Sequence, residues 1–179
     1  MRPTIVVMPS SSSQNGIGCC GCFRCCTCIN VNFLKTEIGV VKALEVILGM
    51  ICHSLVLNFG TQYAVTIGSS YQSFLTIASW SFMTTGLLLL CYICSPRSLG
   101  LIRQSLFETA FNSIAAFSYI TSCSYLGYAV NMFLQPLALM SSALHAYPAV
   151  STAYILGTFV GLLYSYDAWK SWTYYRNFI

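Results

Sequence analysis

Ser73-Phe-Leu-Thr-Ile-Ala-Ser-Trp-Ser-Phe-Met-Thr-Thr-Gly-Leu-Leu-Leu-Leu-Cys-Tyr-Ile-Cys94 contains no Asp, Glu, Lys or Arg. A helix that crosses a bilayer needs about 20 mainly apolar residues, and this stretch supplies them. It lies inside a longer uncharged run, Val46 to Pro96, bounded by Glu45 and Arg97. A second such run, Thr109 to Tyr166, lies between Glu108 and Asp167. Each run is too long for one crossing and fits two crossings with a short connection. The chain therefore reads as all-α, a polytopic membrane protein whose two helical hairpins form a four-transmembrane-helix bundle with its charges at the hairpin ends.

Composition points the same way. The chain is 56% hydrophobic and 7% charged, with mean hydropathy +0.70. A soluble domain carries about 25% charged residues, and one of this composition would expose far more apolar surface than soluble monomers do. The net charge of +4 comes from scattered cations. No basic cluster suggests nucleic acid. The N-terminus offers no signal peptide, because Ile5 to Met8 is a short apolar run that stops at Pro9. Arg2 stands where N-myristoylation needs Gly.

The expected organisation has three parts. Residues 1–29 form a disordered leader, with Ser10 to Ser13 followed by a cysteine cluster. Residues 30–172 form the membrane domain, with spans at about 38–59, 73–95, 108–130 and 149–166. Residues 173–179 form a short tail. Thr36 is the expected N-cap of the first span, and Gly60 its expected end. Ser95-Pro96 ends the second, because proline lacks a donor and biases its predecessor away from helix. The third span is rich in Ser, Thr, Asn and Tyr, which predicts hydrogen bonds across helices at about 0.6 kcal/mol each and few lipid contacts. Gly157-Thr-Phe-Val-Gly161 in the fourth is a small-xxx-small seam for helix packing. Trp169, Trp172, Tyr174 and Tyr175 form an interfacial aromatic belt. All Lys and Arg lie before the first span's core, after the second span or after the fourth, and neither remaining connection holds one. The positive-inside rule then places both termini and the middle loop in the cytosol.

Cys19, Cys20, Cys22, Cys25, Cys26 and Cys28 sit just before the first span. Cytosolic thiols stay reduced, which argues against disulfides. The pairs Cys19/Cys22 and Cys25/Cys28 have zinc-knuckle spacing, but only Phe23 and Arg24 separate them, where zinc ribbons have a loop of about 15–20 residues. Juxtamembrane cysteines are acceptors for S-palmitoylation, and several chains anchor firmly. These six are lipidation candidates, with zinc or an unmodified reduced cluster as the alternatives. Cys52, Cys91, Cys94 and Cys123 lie within spans and read as small apolar side chains. The connections expected outside contain no cysteine and no glycosylation sequon, unlike claudins, tetraspanins and connexins with their disulfide-bonded outer loops.

Three ion pairs are expected near the cytosolic ends of the spans: Lys42 with Glu45, Arg103 with Glu108, and Asp167 with Lys170. The alternative is an ion or proton path, since an intramembrane ionisable residue is a functional candidate. No nucleophile motif, phosphate loop or metal-ligand spacing is present. The chain therefore reads as non-enzymatic, with no cofactor, no metal, no nucleic acid and no small-molecule substrate.

Leu34-Lys-Thr36 leading into Leu44-Glu-Val-Ile-Leu-Gly49, and Phe107-Glu-Thr-Ala-Phe-Asn112 leading into Ala115-Ala-Phe-Ser-Tyr119, resemble the MARVEL-domain family, which includes MAL-like and chemokine-like-factor-like proteins, physins and occludin. The resemblance covers roughly Asn30 to Trp172. Through the cysteine-rich leader joined to Ile29-Asn-Val-Asn-Phe-Leu-Lys-Thr36 it extends more narrowly to an insect member. It implies membrane apposition, vesicle traffic and myoblast fusion, with membrane lipids, further copies of the chain or other membrane proteins as partners. The implied location is the plasma membrane or exocytic vesicles. The rival reading is a small channel or transporter subunit whose polar third span lines a path.

Overall fold

A computed structural model describes residues 31–178 apart from residue 104 and residues 141–144. Among the described residues there is no strand. Thr36 leaves helical geometry at φ −75° and ψ 152°, and its Oγ1 accepts from the Gly39 amide at 3.2 Å. It caps α1, Glu37–Leu55. Gly60 does not end this helix. The backbone widens into a π-turn over Val56–Gly60, tightens through a 3-10 turn at Thr61–Tyr63 and continues as α2, Ala64–Ile67. The reversal comes at Gly68, whose φ of 68° suits a residue without Cβ.

Helix α3 spans Ser69–Cys94 and stops where Ser95 turns extended. The loop expected after it is mostly helix. Pro96 opens α4, Pro96–Arg103, at the first helical position, where its missing N–H costs nothing. Ser95 caps it, because its Oγ accepts from the Ser98 amide. Helix α5 covers Leu106–Ala129, passes through a second π-turn at Val130–Leu134 and continues as α6, Gln135–Leu139. Helix α7 is a single run, Ala146–Phe178. It does not stop near 166, because no Gly or Pro follows Gly161 and the Asp167 charge is paired within the bundle.

Helix α1 packs on α3, α3 on α5, α5 most extensively on α7, and α7 back on α1. This closes a four-helix bundle of two hairpins, α1/α3 and α5/α7. The start of α1, the helix α4 and the end of α7 lie at one end, here the terminal end. Helices α2 and α6 lie at the other, the connection end. Among the described residues three helical runs are long and apolar enough to cross a membrane: Glu37–Ile67, Ser69–Cys94 and Ala146–Asn177. Helix α5 has the length, 24 residues, but its Ser, Thr, Asn and Tyr lower its hydropathy. It crosses because it lies along both α3 and α7.

The expected role of the α5 hydroxyls needs correcting. Ser113, Thr121 and Ser124 donate to carbonyls of their own helix, which competes with bonding across helices. Ile114, Phe117 and Tyr128 of the same helix are exposed, so α5 also meets lipid. Its cross-helix polar bonds include those of Asn112 and of Tyr125, whose hydroxyl lies 2.7 Å from Ser69 Oγ.

Close approach of α7 to α5 depends on small residues. A Cβ on Gly157 would lie 2.7 Å from Cys123 Sγ and 2.8 Å from the Phe74 ring. One on Gly161 would lie 3.1 Å from Ile120 and 3.2 Å from Tyr119 Cβ. Between them the core is filled by Phe74, Tyr119, Leu126 and Tyr164, with Tyr119 and Tyr164 stacked at 5.7 Å and Thr85 Oγ1 2.7 Å from the Tyr164 hydroxyl. Overpacking such an interface costs about 1–3 kcal/mol or more. Gly157→Leu and Gly161→Leu should therefore lower the thermal midpoint of the detergent-purified protein and broaden its size-exclusion peak. Gly86→Leu, with no atom within 4 Å of its added Cβ, should match the parent. Equal behaviour of all three would remove the seam from the packing.

Candidate functional site: a buried ionic cluster

On α1 the buried positions are Gly39, Lys42, Glu45, Gly49 and Cys52. That spacing of three and four places one face of the helix inward, and it carries a lysine and a glutamate with it. Glu108 and Asn112, one turn apart on α5, face the same point. Asp167 arrives from α7 and Arg103 from the end of α4. All six side chains are at most 5% exposed.

Lys42 is the hub. Its Nζ lies 2.6 Å from Asp167 Oδ2, 3.4 Å from Glu45 Oε2 and 3.7 Å from Glu108 Oε1. It also donates to Asn112 Oδ1 at 2.9 Å, while Asn112 Nδ2 donates to Asp167 Oδ2 at 2.9 Å. The Asn112 amide is thus a bridge, reading the lysine with its oxygen and the aspartate with its nitrogen. Arg103 closes the terminal end, with Nε 3.4 Å from Glu108 Oε2 and Nη2 3.6 Å from Asp167 Oδ1. Its guanidinium sits over the Tyr174 ring at 5.6 Å. The carboxylates of Glu45 and Glu108 meet these cations at the longer distances of 3.4–3.7 Å, so charge is the main attraction there. Two cations therefore serve three carboxylates, and four helices meet at one point.

Lys42 lies beside Glu45 and Arg103 beside Glu108, as their spacing suggests. Asp167 and Lys170 do not pair. Asp167 faces the bundle, whereas Lys170 faces outward and meets Glu37, Nζ to Oε1 at 3.1 Å, with the Tyr166 hydroxyl donating to the same carboxylate. Two positions on one helix at i and i+3 can still point to different environments, and tertiary packing chose the longer-range partners. The bridging role of Asn112 was not read from the sequence. Its signal was there, since Asn112 follows Glu108 by one helical turn and precedes the inward Ala115 and Tyr119 on the same face. The leader cysteines Cys19, Cys20, Cys22, Cys25, Cys26 and Cys28 lie outside the described residues. Of the others, Cys52 and Cys123 are buried free thiols, and Cys91 and Cys94 are exposed. Among the described residues no group of three His, Cys, Asp or Glu has metal-site geometry. His53 lies edge-on to Phe82 at 5.6 Å.

The cluster gives no nucleophile a base and no substrate an opening. What it can do is hold helices in register. Charges in an apolar medium are stabilised only by their partners, and removing one partner of a buried pair costs about 3–5 kcal/mol. Lys42→Met leaves Arg103 alone against three carboxylates and should cost that much, read as loss of the monodisperse peak in mild detergent. Adding Asp167→Asn should restore part of the loss. Lys170→Met, at the exposed pair, should match the parent. A Lys42→Met protein as stable as Lys170→Met would show that the cluster does not hold the bundle.

The MARVEL family model, described as a membrane-associating domain, matches residues 33–170. The chain is also 43% identical to "Protein singles bar" of Drosophila melanogaster over 162 residues, covering 90% of this chain and 92% of that protein. No solved structure matches. Every residue of the ionic cluster and both glycines of the α5/α7 seam fall inside the matched region. This integral membrane protein, an all-α bundle of apolar helices joined at one end by buried charge, belongs to the MARVEL family of membrane-associating domains.

Proposed function

We propose that this protein organises membrane at sites of vesicle docking and cell contact, including cell–cell fusion of the kind that joins myoblasts, and that it does so without catalysis. The observation that carries the reading is the cluster of Lys42, Glu45, Arg103, Glu108, Asn112 and Asp167, a set of charges used up in holding four helices together. Large apolar side chains such as Met83, Leu87, Phe117 and Phe159 are exposed on its flanks, as contact with lipid requires. A bundle of this kind acts through its fit to lipids, to further copies of itself or to other membrane proteins. The fully buried Phe74, Tyr119, Leu126 and Tyr164 fill its centre, which favours this reading over a channel lined by α5. The distribution of Lys and Arg supports both termini and α4 on the cytosolic side, at the plasma membrane or on exocytic vesicles.

The leader takes part by acylation. Cys19, Cys20, Cys22, Cys25, Cys26 and Cys28 precede α1 on the reducing side, and each acyl chain adds about 0.8 kcal/mol of membrane affinity per buried CH₂. The spans already anchor the protein, so acylation sets where in the membrane system it gathers. Replacing all six with Ser should leave topology intact, shift distribution and remove hydroxylamine-labile label. A parent without such label, purifying with zinc that depends on these cysteines, would replace lipid with metal.

The role itself is tested in cells that express the protein. A tagged copy should concentrate where vesicles or cells meet, and depletion should leave them in contact but unmerged. Uniform distribution, with docking and fusion unchanged on depletion, would refute the proposed role.

A further inference from the structure

The outer face of α3 carries a groove of about 390 Å³, lined by Leu75, Thr76, Ser79, Trp80 and Met83. Neighbouring side chains shape it. The Trp80 ring meets Phe111 of α5 edge-on at 5.6 Å, and Phe107 stacks on Phe111 in turn. Ser79 donates its hydroxyl proton to the Leu75 carbonyl at 2.8 Å, so this small side chain leaves room without presenting a free donor. No lining residue carries a charge. The groove therefore suits an apolar occupant that needs no hydrogen bond.

The same face of α3 leads to two thiols. Thr76 and Cys94 are 18 residues apart, about five turns of helix, with Met83 and Leu87 in the row between them. Met83, Leu87 and Leu90 are more than half exposed, and Cys91 and Cys94 are exposed in the last turn. Tyr92, between the two cysteines, is fully buried, with its hydroxyl in electrostatic reach of Glu108, Arg103 and Asp167. The thiols thus stand level with the ionic cluster but outside the bundle. Charges gather where the apolar slab ends, so this is the boundary of the hydrocarbon.

Reach connects the thiols to the groove. Cys91 precedes no break in the helix on the way to Trp80, 11 residues below it, and Cys94 stands 11 residues above Met83. Eleven residues are about three turns and about 16 Å of rise, so each thiol lies directly above one wall of the groove. A single acyl chain of a bilayer spans half the hydrocarbon core, about 15 Å. A chain attached at either sulfur and laid along Leu87 or Leu90 ends at the groove.

We propose that Cys91 and Cys94 form an S-acylation site whose acyl chain runs down the outer face of α3 and ends in the groove at Trp80 and Met83. In the reaction a cysteine sulfur attacks the carbonyl carbon of a long-chain acyl-coenzyme A. The bond from that carbon to the coenzyme sulfur breaks, and the coenzyme leaves as a thiol with the proton the cysteine gave up. A membrane-bound acyltransferase brings the two reactants together, and no oxidant or reductant takes part. The inference goes beyond acylation of the leader, and it rests on the cytosolic placement of this end proposed above. Its consequence is a lipid chain held against the bundle itself, which changes the face that α3 shows to the bilayer.

The test uses the full chain in cells, with Ser in place of the six leader cysteines. Exchange of hydroxylamine-labile acyl groups for a polyethylene glycol maleimide should shift the mass of this protein. The variant carrying Cys91→Ser and Cys94→Ser should lose the shift and still elute in mild detergent like its parent, since both thiols are exposed. A fatty acid with a terminal alkyne and a diazirine near its far end, fed to the same cells and irradiated, should crosslink within 75–83. Those crosslinks should vanish in the double variant. Crosslinks there that persist in the double variant would show a free lipid in the groove and overturn the covalent occupant. Labelled thiols with crosslinks only elsewhere would overturn the seating. A tag after Ile179 reports orientation separately. No mass shift, with the tag reached only after permeabilisation, would overturn the acylation and leave the orientation standing. A tag reached on intact cells would overturn both.

Discussion

A lysine ammonium placed between helices in an apolar slab has no water to turn to, so its counter-charges must come from the protein. In this fold that requirement falls on Lys42, and Glu45, Glu108 and Asp167 answer it from three helices. Opposite charges attract far more strongly in the bundle than at a hydrated surface. Sliding α7 along α1 by one turn, about 5.4 Å, would remove Asp167 from Lys42 and leave both charges stranded. The register of the two hairpins is fixed by that penalty. Arg103 extends it to α4, so the segment between hairpins is tied to the same point.

Above the cluster the forces change in kind. Lipid tails are as apolar as leucine, so helices gain little by hiding apolar side chains from them. They gain by close approach, and Gly157 and Gly161 allow α7 to lie against Ile120, Tyr119 and Cys123 of α5. The aromatic side chains Phe74, Phe111, Tyr119 and Tyr164 then fill the centre with edge-on and stacked contacts. The bundle is thus ionic at one end, tightly packed by size in the middle and uncharged at the other end. A gradient of this sort suits a protein whose proposed work is done on the bilayer around it.

Much of this was legible in the residues. The uncharged runs from Val46 to Pro96 and from Thr109 to Tyr166 announce two helical hairpins, because an unclosed chain can satisfy its backbone in lipid only as helix. Thr36 before Glu37 announces a cap, and Ser95-Pro96 a stop, from local sterics and hydrogen bonding alone. Membership of the MARVEL family was readable from the patterns around Leu44 to Gly49 and Phe107 to Tyr119. What a run of uncharged residues cannot encode is where helix gives way to turn. Both first helices of the hairpins pass through π-turns at Val56 and Val130 instead of stopping, and the loop after Pro96 is helical.

The sequence by itself determined that the charges stand at the ends of the spans, because a charge in mid-bilayer is too costly, and that Gly157 and Gly161 share one helix face, because four residues make about one turn. Only the tertiary structure decided which charges meet. Local spacing paired Asp167 with Lys170, yet Asp167 turns inward to Lys42 and Arg103 while Lys170 reaches Glu37 at the start of α1. Asn112 became the bridge between Lys42 and Asp167 only once α1, α5 and α7 were brought together. The physical reason is range. Caps and turns are settled within a few residues of backbone, whereas a buried charge selects among all partners that packing brings within a few ångströms, whatever their distance along the chain.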